Sequence, residues 1–332
     1  MKLESSRREF LKGSVSALAV VAAGPILSGS PVQAQSHPVK STFRLGVIND
    51  EISQDFGRSC EVIAREFGLN WIEIRGARNK NILKFDSQEV AEARRILDRF
   101  QLRVTDICSP LFKVDWPDAP VSKFSPKRDQ FLADFTFAQQ DEVLERCLEL
   151  AKAFNTDRVR CFDFWRLDDQ KPHRAAMNAK LLDAATKAGR RGVTLCLENE
   201  FACNTATGAE AAKVLDAVQS SHLMLAWDPA NAAAHGENPY PDGYKLLPKN
   251  RIGHCHCKDL LKTTNGKDHE WAAVGRGSID WVSQFRALKH DGYKLGCTLE
   301  THWHGGGTAE ESSRQSWAGM KEALNKARAL DI

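Results

Sequence analysis

"RIGHCHCKDL", residues 251–260, sets two histidines, two cysteines, a lysine and an aspartate within ten positions. Read as a β-strand, its side chains alternate, so His254 and His256 share one face and Cys255 and Cys257 the other. That parity argues against a four-ligand Cys/His zinc clip built from this segment alone. It also argues against a redox cysteine pair, because both thiols then point into a helix layer as core. The histidine face carries the information, and its meaning depends on the strands around it.

Seven other short apolar runs have the same character. Residues 42–49, 71–75, 103–109, 158–164, 193–199, 223–228 and 295–300 join 252–257 as predicted strands, rich in β-branched and aromatic residues and ending in polar ones. Helical patterns lie between them. "EVLERCLELAKAF" places Val143, Cys147, Leu150, Ala151 and Phe154 on one stripe. Thr207 with Glu210, and Thr308 with Glu311, read as capping boxes. "SIDWVSQFRALKHDGY" is expected to stop at Gly292. Strand then helix, eight times, predicts an α/β fold, a single-domain (β/α)8 TIM barrel. A doubly wound sheet is the runner-up, but "VINDEISQDFG" after the first strand is not the Gly-rich turn such a sheet would want.

Residues 1–34 are expected to be a signal peptide rather than part of the fold, which is assigned to 35–332. Arg7 and Arg8 precede Phe10, Leu11 and Lys12; a weakly apolar run from Val15 to Leu27 follows, then Val32 and Ala34 before a small-residue cut. This looks like a twin-arginine export signal. The apolar run is broken by Gly24 and Pro25 and falls short of the ~20 residues a membrane span needs. The expectation is a periplasmic or otherwise exported protein with no stable membrane insertion. Twin-arginine export carries folded proteins, a hint of a cofactor loaded first. Removing this segment takes away four Lys/Arg and two Asp/Glu, so the net charge drops from +3 to +1. Nothing in that balance calls for nucleic acid. The nine cysteines are odd in number and sit mostly in apolar patterns, so few or no disulfides are expected.

In a barrel of this type the active site is built from polar residues at the C-terminal strand ends. Glu198 ends the fifth strand, Asp228 the sixth, His256 the seventh and Glu300 the eighth. Three carboxylates and one imidazole form an oxygen-rich set. It suits Mn2+ first, with Mg2+, Co2+ or Zn2+ as alternatives. Each residue alone reads as readily as a rim salt bridge or a core histidine; the specificity lies in all four falling at one level.

At these residues the chain resembles the xylose-isomerase-like superfamily of sugar phosphate isomerases and epimerases. The motifs are "LEN" at 197–199, "WDPAN" at 227–231, "HCHCKD" at 254–259, "GRGSIDW" at 275–281 and "GYKLGCTLETH" at 292–302. The resemblance implies one divalent ion held by Glu198, Asp228, His256 and Glu300, a small-molecule carbohydrate as substrate, and catalysis by Glu198 and Glu300 with Lys258 against a substrate oxygen. One carboxylate would take a proton and the other return it through an enediolate. A lyase acting on a 3-keto-glycoside would use the same residues, and a non-catalytic sugar-binding barrel is the rival from another class. His302, Glu73, Trp116, Trp165 and Arg276 are further candidates for substrate contacts. His254, one pleat below His256, is given a supporting place among them. Glu73 could instead pair with Arg75, and Lys258 with Asp259. Ser109 and Lys113 are placed with Trp116 in a long loop after the third strand. Glycines 305–307 suggest a phosphate loop, though a plain flexible loop is the preferred reading. Asn231 stands where several sugar epimerases and the barrel endonucleases carry histidine, and with the near-neutral charge it argues against the nucleases. A homo-oligomer is left open.

Overall fold

Eight parallel strands account for the architecture of this computed structural model, which describes residues 38–117, 119–126, 134–262 and 269–331. The expected export segment lies outside the described residues. The strands are β1 (Arg44–Val47), β2 (Trp71–Ile74), β3 (Arg103–Leu111), β4 (Arg158–Cys161), β5 (Thr194–Glu198), β6 (Leu223–Trp227), β7 (Ile252–Cys257) and β8 (Gly296–Leu299). They pair in the order β1-β8-β7-β6-β5-β4-β3-β2. A parallel bridge between Ile48 and Glu73 then brings the two end strands together, so the barrel is nearly closed. Every predicted strand is present, some trimmed by one to four residues in all. The largest trim at one end is in β4, where the chain leaves the barrel after Cys161 and runs on as Phe162 and Phe164 donate to Leu111 O and Phe112 O. β3 is longer than expected, and it carries Ser109 inside the strand rather than in the loop.

The helices α1 (Phe56–Glu61), α2 (Ser87–Phe100), α3 (Gln140–Ala153), α4 (Arg174–Arg190), α5 (Gly208–Ala217), α6 (Pro229–Ala234), α7 (Trp281–His290) and α8 (Ala309–Lys326) lie between or after the strands. The predicted stripe of α3 is buried throughout. Thr207 and Glu210 form the full capping box of α5. Thr308 caps α8 through Glu311 N, but the Glu311 side chain turns to Arg314 and Gln315 instead of completing the box. α7 starts at the cap Asp280 and ends two residues before Gly292, whose φ of 77° takes the left-handed stop.

All nine cysteines are buried free thiols. Cys255 and Cys257 belong to the hydrophobic core, as the alternation in β7 requires. Inside the barrel, size matters residue by residue. β7 and β8 pair with His254 opposite Gly296 and His256 opposite Thr298. A Cβ on Gly296 would sit 2.5 Å from both Cε1 and Nδ1 of the His254 ring. The glycine is therefore the space that the imidazole fills. Gly296→Ala is expected to cost about 1–3 kcal/mol, because neither strand can move without breaking its ladder. Urea unfolding measures this; an unchanged midpoint would show that the ring has room to shift.

Candidate metal centre

The four strand-end residues converge. One ligand atom from each of Glu198, Asp228, His256 and Glu300 lies within 4.8 Å of all the others, and all four side chains are buried. Each is placed by local structure. Glu198 is the last residue of β5. Asp228 follows β6 and caps α6 by accepting from Asn231 N at 2.9 Å. His256 is the inward-facing residue near the end of β7. Glu300 follows β8, with its N–H bonded to Cys257 O at 3.0 Å.

Within this cluster His256 Nδ1 is buried and makes no hydrogen bond, and Asp228 Oδ2 is buried with Lys258 Nζ as its ion-pair partner. His256 Nδ1 lies 3.3 Å from Glu198 Oε1 and 3.7 Å from Glu300 Oε2. On the other side of the ring, Nε2 donates to Glu73 Oε1 at 3.1 Å, which fixes the imidazole so that Nδ1 faces the carboxylates. His254 Nε2 donates to the other oxygen of Glu73 at 3.0 Å and also contacts Thr298 Oγ1. Glu73 therefore pairs with the two histidines, not with Arg75. Both Glu73 and His254 are fully buried beneath the cluster, so they orient His256 and do not reach a substrate. That corrects the expectation of substrate contacts for both.

Charge is the second constraint. Arg160 Nη1 lies 3.0 Å from Glu198 Oε2, and Lys258 Nζ lies 2.8 Å from Glu300 Oε2 and 3.0 Å from Asp228 Oδ2. The lysine thus turns into the barrel mouth, and Asp259 does not pair with it. Instead the Asp259 carboxylate accepts backbone N–H groups of Leu260, Gly275, Gly277 and Ile279. Burial raises the pKa of Glu198, but His256 and Arg160 outweigh it and hold the carboxyl at about 2. Asp228 goes the other way. Burial pushes its pKa up to about 7, against Lys258 and with help from Glu300 and Glu198. Three carboxylates crowd one buried space, and a cation among them would relieve their mutual repulsion. The residues present, three carboxylates and one imidazole, fit a divalent ion.

Above the cluster opens a cleft of about 360 Å3 lined by Trp165, Phe201, Trp271, His302 and the Lys113–Glu200 ion pair, among others. His302 Nε2 is 3.7 Å from Glu300 Oε1 and 3.9 Å from Glu51 Oε1, and its ring packs on Trp271 at 5.3 Å. Burial, partly offset by Glu300, lowers its pKa, so the imidazole is neutral near pH 7. Trp165 and His302 both line this cleft. Trp116 does not; it packs edge-on against Phe164 and Phe137, at 4.7 and 5.3 Å. Arg276 is also outside the site. The turn around Asp259 leaves its side chain 66% exposed, 3.7 Å from Glu322 on α8. The glycines 305–307 form a turn packed on α8, where Gly306 N donates to Ser312 Oγ.

Sequence reasoning missed Arg160, Glu51, Asn231 as a contact, and Trp271. Arg160 had a signal, since "RVRC" puts Arg158 and Arg160 on one strand face. Asn231 Nδ2 donates to Glu198 Oε1 at 3.1 Å, so the departure from histidine supplies a donor to the cluster rather than another ligand. Arg75 bonds Asp50 and Glu51 at 2.9 and 2.8 Å and approaches Glu300 Oε1 at 3.6 Å. Trp271 lies on a short hairpin, Asp259–Lys262 with His269–Ala272, that the strand count did not include.

Several solved structures are similar to the chain. The probable 3-DHS dehydratase AsbF from Bacillus anthracis is 17% identical with a TM-score of 0.63, covering 84% of this chain and 98% of that one. D-psicose 3-epimerase with D-tagatose from Clostridium cellulolyticum H10 is 16% identical at 0.62, covering 86% and 98%. A xylose isomerase-like TIM barrel protein from Mycobacterium smegmatis in complex with magnesium is 13% identical at 0.61, again covering 86% and 98%. No curated protein matches the chain by sequence. At these identities the likeness shows the fold. The family profile described as "Xylose isomerase-like TIM barrel" matches residues 62–325, and on that match, joined to the eight-stranded barrel, the chain belongs to the xylose isomerase-like TIM barrel family.

Proposed function

We propose that this protein is a divalent-metal-dependent enzyme that isomerises or epimerises a sugar or keto-sugar derivative by removing a proton beside a carbonyl or carbinol carbon. The observation that carries the reading is the convergence of two glutamates, an aspartate and a histidine, all buried, with one ligand atom from each within 4.8 Å of the others, and with His256 Nδ1 turned toward the carboxylates. Glu198, Asp228, His256 and Glu300 would hold the ion, with Mn2+ as first choice. When bound, it would supply Lewis-acid stabilisation of negative charge on a substrate oxygen.

The chain's own groups do the rest. Glu198 and Glu300 come from strands three apart and present carboxylates from opposite sides, so one can take a proton and the other return it. Each is held in place: Glu198 by Arg160 and Asn231, Glu300 by Lys258. Lys258 is a fixed positive charge beside both Asp228 and Glu300 and can donate to a substrate oxygen that gains charge. His302 can hydrogen-bond a substrate hydroxyl from the cleft wall. The similar barrels bear names of an epimerase and a dehydratase, in keeping with such proton chemistry. Elimination from a 3-keto-glycoside is the second reading, favoured by the room in the cleft beyond the cluster for a leaving group. We also propose export of the folded, metal-loaded chain by the twin-arginine route, on the Arg7–Arg8 segment.

The test is elemental analysis of the purified protein, then NMR of keto-sugars and keto-glycosides in heavy water. About one divalent ion per chain, with deuterium entering beside the carbonyl, is the expected result. Release of an unsaturated product instead would select elimination. A folded protein that binds no ion even in added Mn2+ would overturn the reading.

A further inference from the structure

We infer that the cleft above the cluster is a subsite for a second sugar ring, so that the substrate is a glycosidically linked disaccharide whose reacting ring sits at the carboxylates. The inference rests on the proposed function and deepens it.

Three observations point there. The cleft adjoins the cluster: His302, on its wall, lies 3.7 Å from Glu300, and the Trp271 ring lies 5.0 Å from Lys258 Nζ. Its volume of about 360 Å3 corresponds to about twelve waters in liquid, more space than a single sugar ring fills. Its walls have the two kinds of surface a pyranose presents. Phe201 and Trp271 pack together at 6.3 Å on one side and Trp165 lies among the other lining residues, offering faces for the C–H side of a ring. Between aromatics sits the Lys113–Glu200 pair at 3.1 Å, with side chains only 5% and 8% exposed. Lys113 Nζ also lies 5.3 Å from the Trp165 ring. A nearly buried ammonium and carboxylate set beside aromatic faces offer hydrogen-bonding groups to the hydroxyl edge of a sugar.

The test uses the full chain loaded with Mn2+. Glucose, trehalose, sucrose, cellobiose and 4-nitrophenyl β-glucoside are titrated by calorimetry, and metal content is measured on the same samples. At least one disaccharide should bind about tenfold more tightly than glucose, the scale of one good stacking contact. Phe201→Ala should bring that disaccharide down to the glucose value and leave glucose unchanged, while Phe201→Tyr keeps the advantage. No disaccharide advantage, or one that survives Phe201→Ala, overturns the inference. A gain with the nitrophenyl glucoside alone also overturns it, in favour of an aromatic aglycone. If the ion is retained in these failures, only the subsite falls; if no ion binds at all, the metal-dependent reading falls with it.

Discussion

Glu300→Gln is expected to lower proton exchange by roughly 10³-fold and to strip the divalent ion from the purified protein. The amide keeps the shape of the side chain but removes the charge from a position 3.7 Å from His256 Nδ1 and 2.8 Å from Lys258 Nζ. Under the proposed function it thereby takes away one ion ligand and one of the two groups able to carry the proton. Glu198→Gln should behave alike, because the two carboxylates have matching places on opposite sides of the cluster. Elemental analysis and exchange in heavy water report on the two roles separately. Retention of both the ion and exchange in either variant would show that the carboxylate pair is not the reacting centre.

Arg160→Met is expected to cost about 3–5 kcal/mol of stability in the metal-free protein, since it leaves a buried charge without its partner. Arg160 is 2% exposed, bonds Glu198 Oε2 at 3.0 Å and donates to Ser109 O at 3.2 Å. The pH dependence has a definite sign. Glu198 is held at about 2, below its ordinary 4.5, where burial is outweighed by His256 and Arg160. A depressed carboxyl stabilises the fold above the unfolded value, and that contribution is lost as pH falls through the folded value. The gap between wild type and variant should therefore be largest above about pH 4.5 and narrow toward pH 2. Urea midpoints across that range measure it. Arg276→Met, on an exposed turn, is the control and should change stability by less than about 0.5 kcal/mol. A gap that stays flat with pH would mean that Arg160 acts through packing rather than through the Glu198 charge.

The sequence determined the barrel and its four-residue mouth, because both follow from local periodicity. Strands alternate with period two, helices with 3.6, and a polar residue that ends an inward-facing strand must emerge at one rim. Thus Glu198, Asp228, His256 and Glu300 could be placed together from position alone, and Cys255 and Cys257 could be assigned to the core from parity. What lies across the barrel has no such signal. That Glu73 on β2 takes both histidines of β7, that Arg160 on β4 holds Glu198, and that Gly296 leaves room for the His254 ring all depend on which inward side chains meet at one level. The register of the closed sheet decides this, and no local pattern records it. The same holds beyond the strand ends. Asp259 draws the loop at 275–279 around its carboxylate, which sends Arg276 outward and frees Lys258 to face the cluster. The hairpin that brings Trp271 over the site had only an Asn265-Gly266 pair between two short apolar stretches as its mark. Periodicity assigns a residue to a face, but only the packed tertiary structure decides which charge or ring it meets there, because those partners lie tens to hundreds of positions away in the chain.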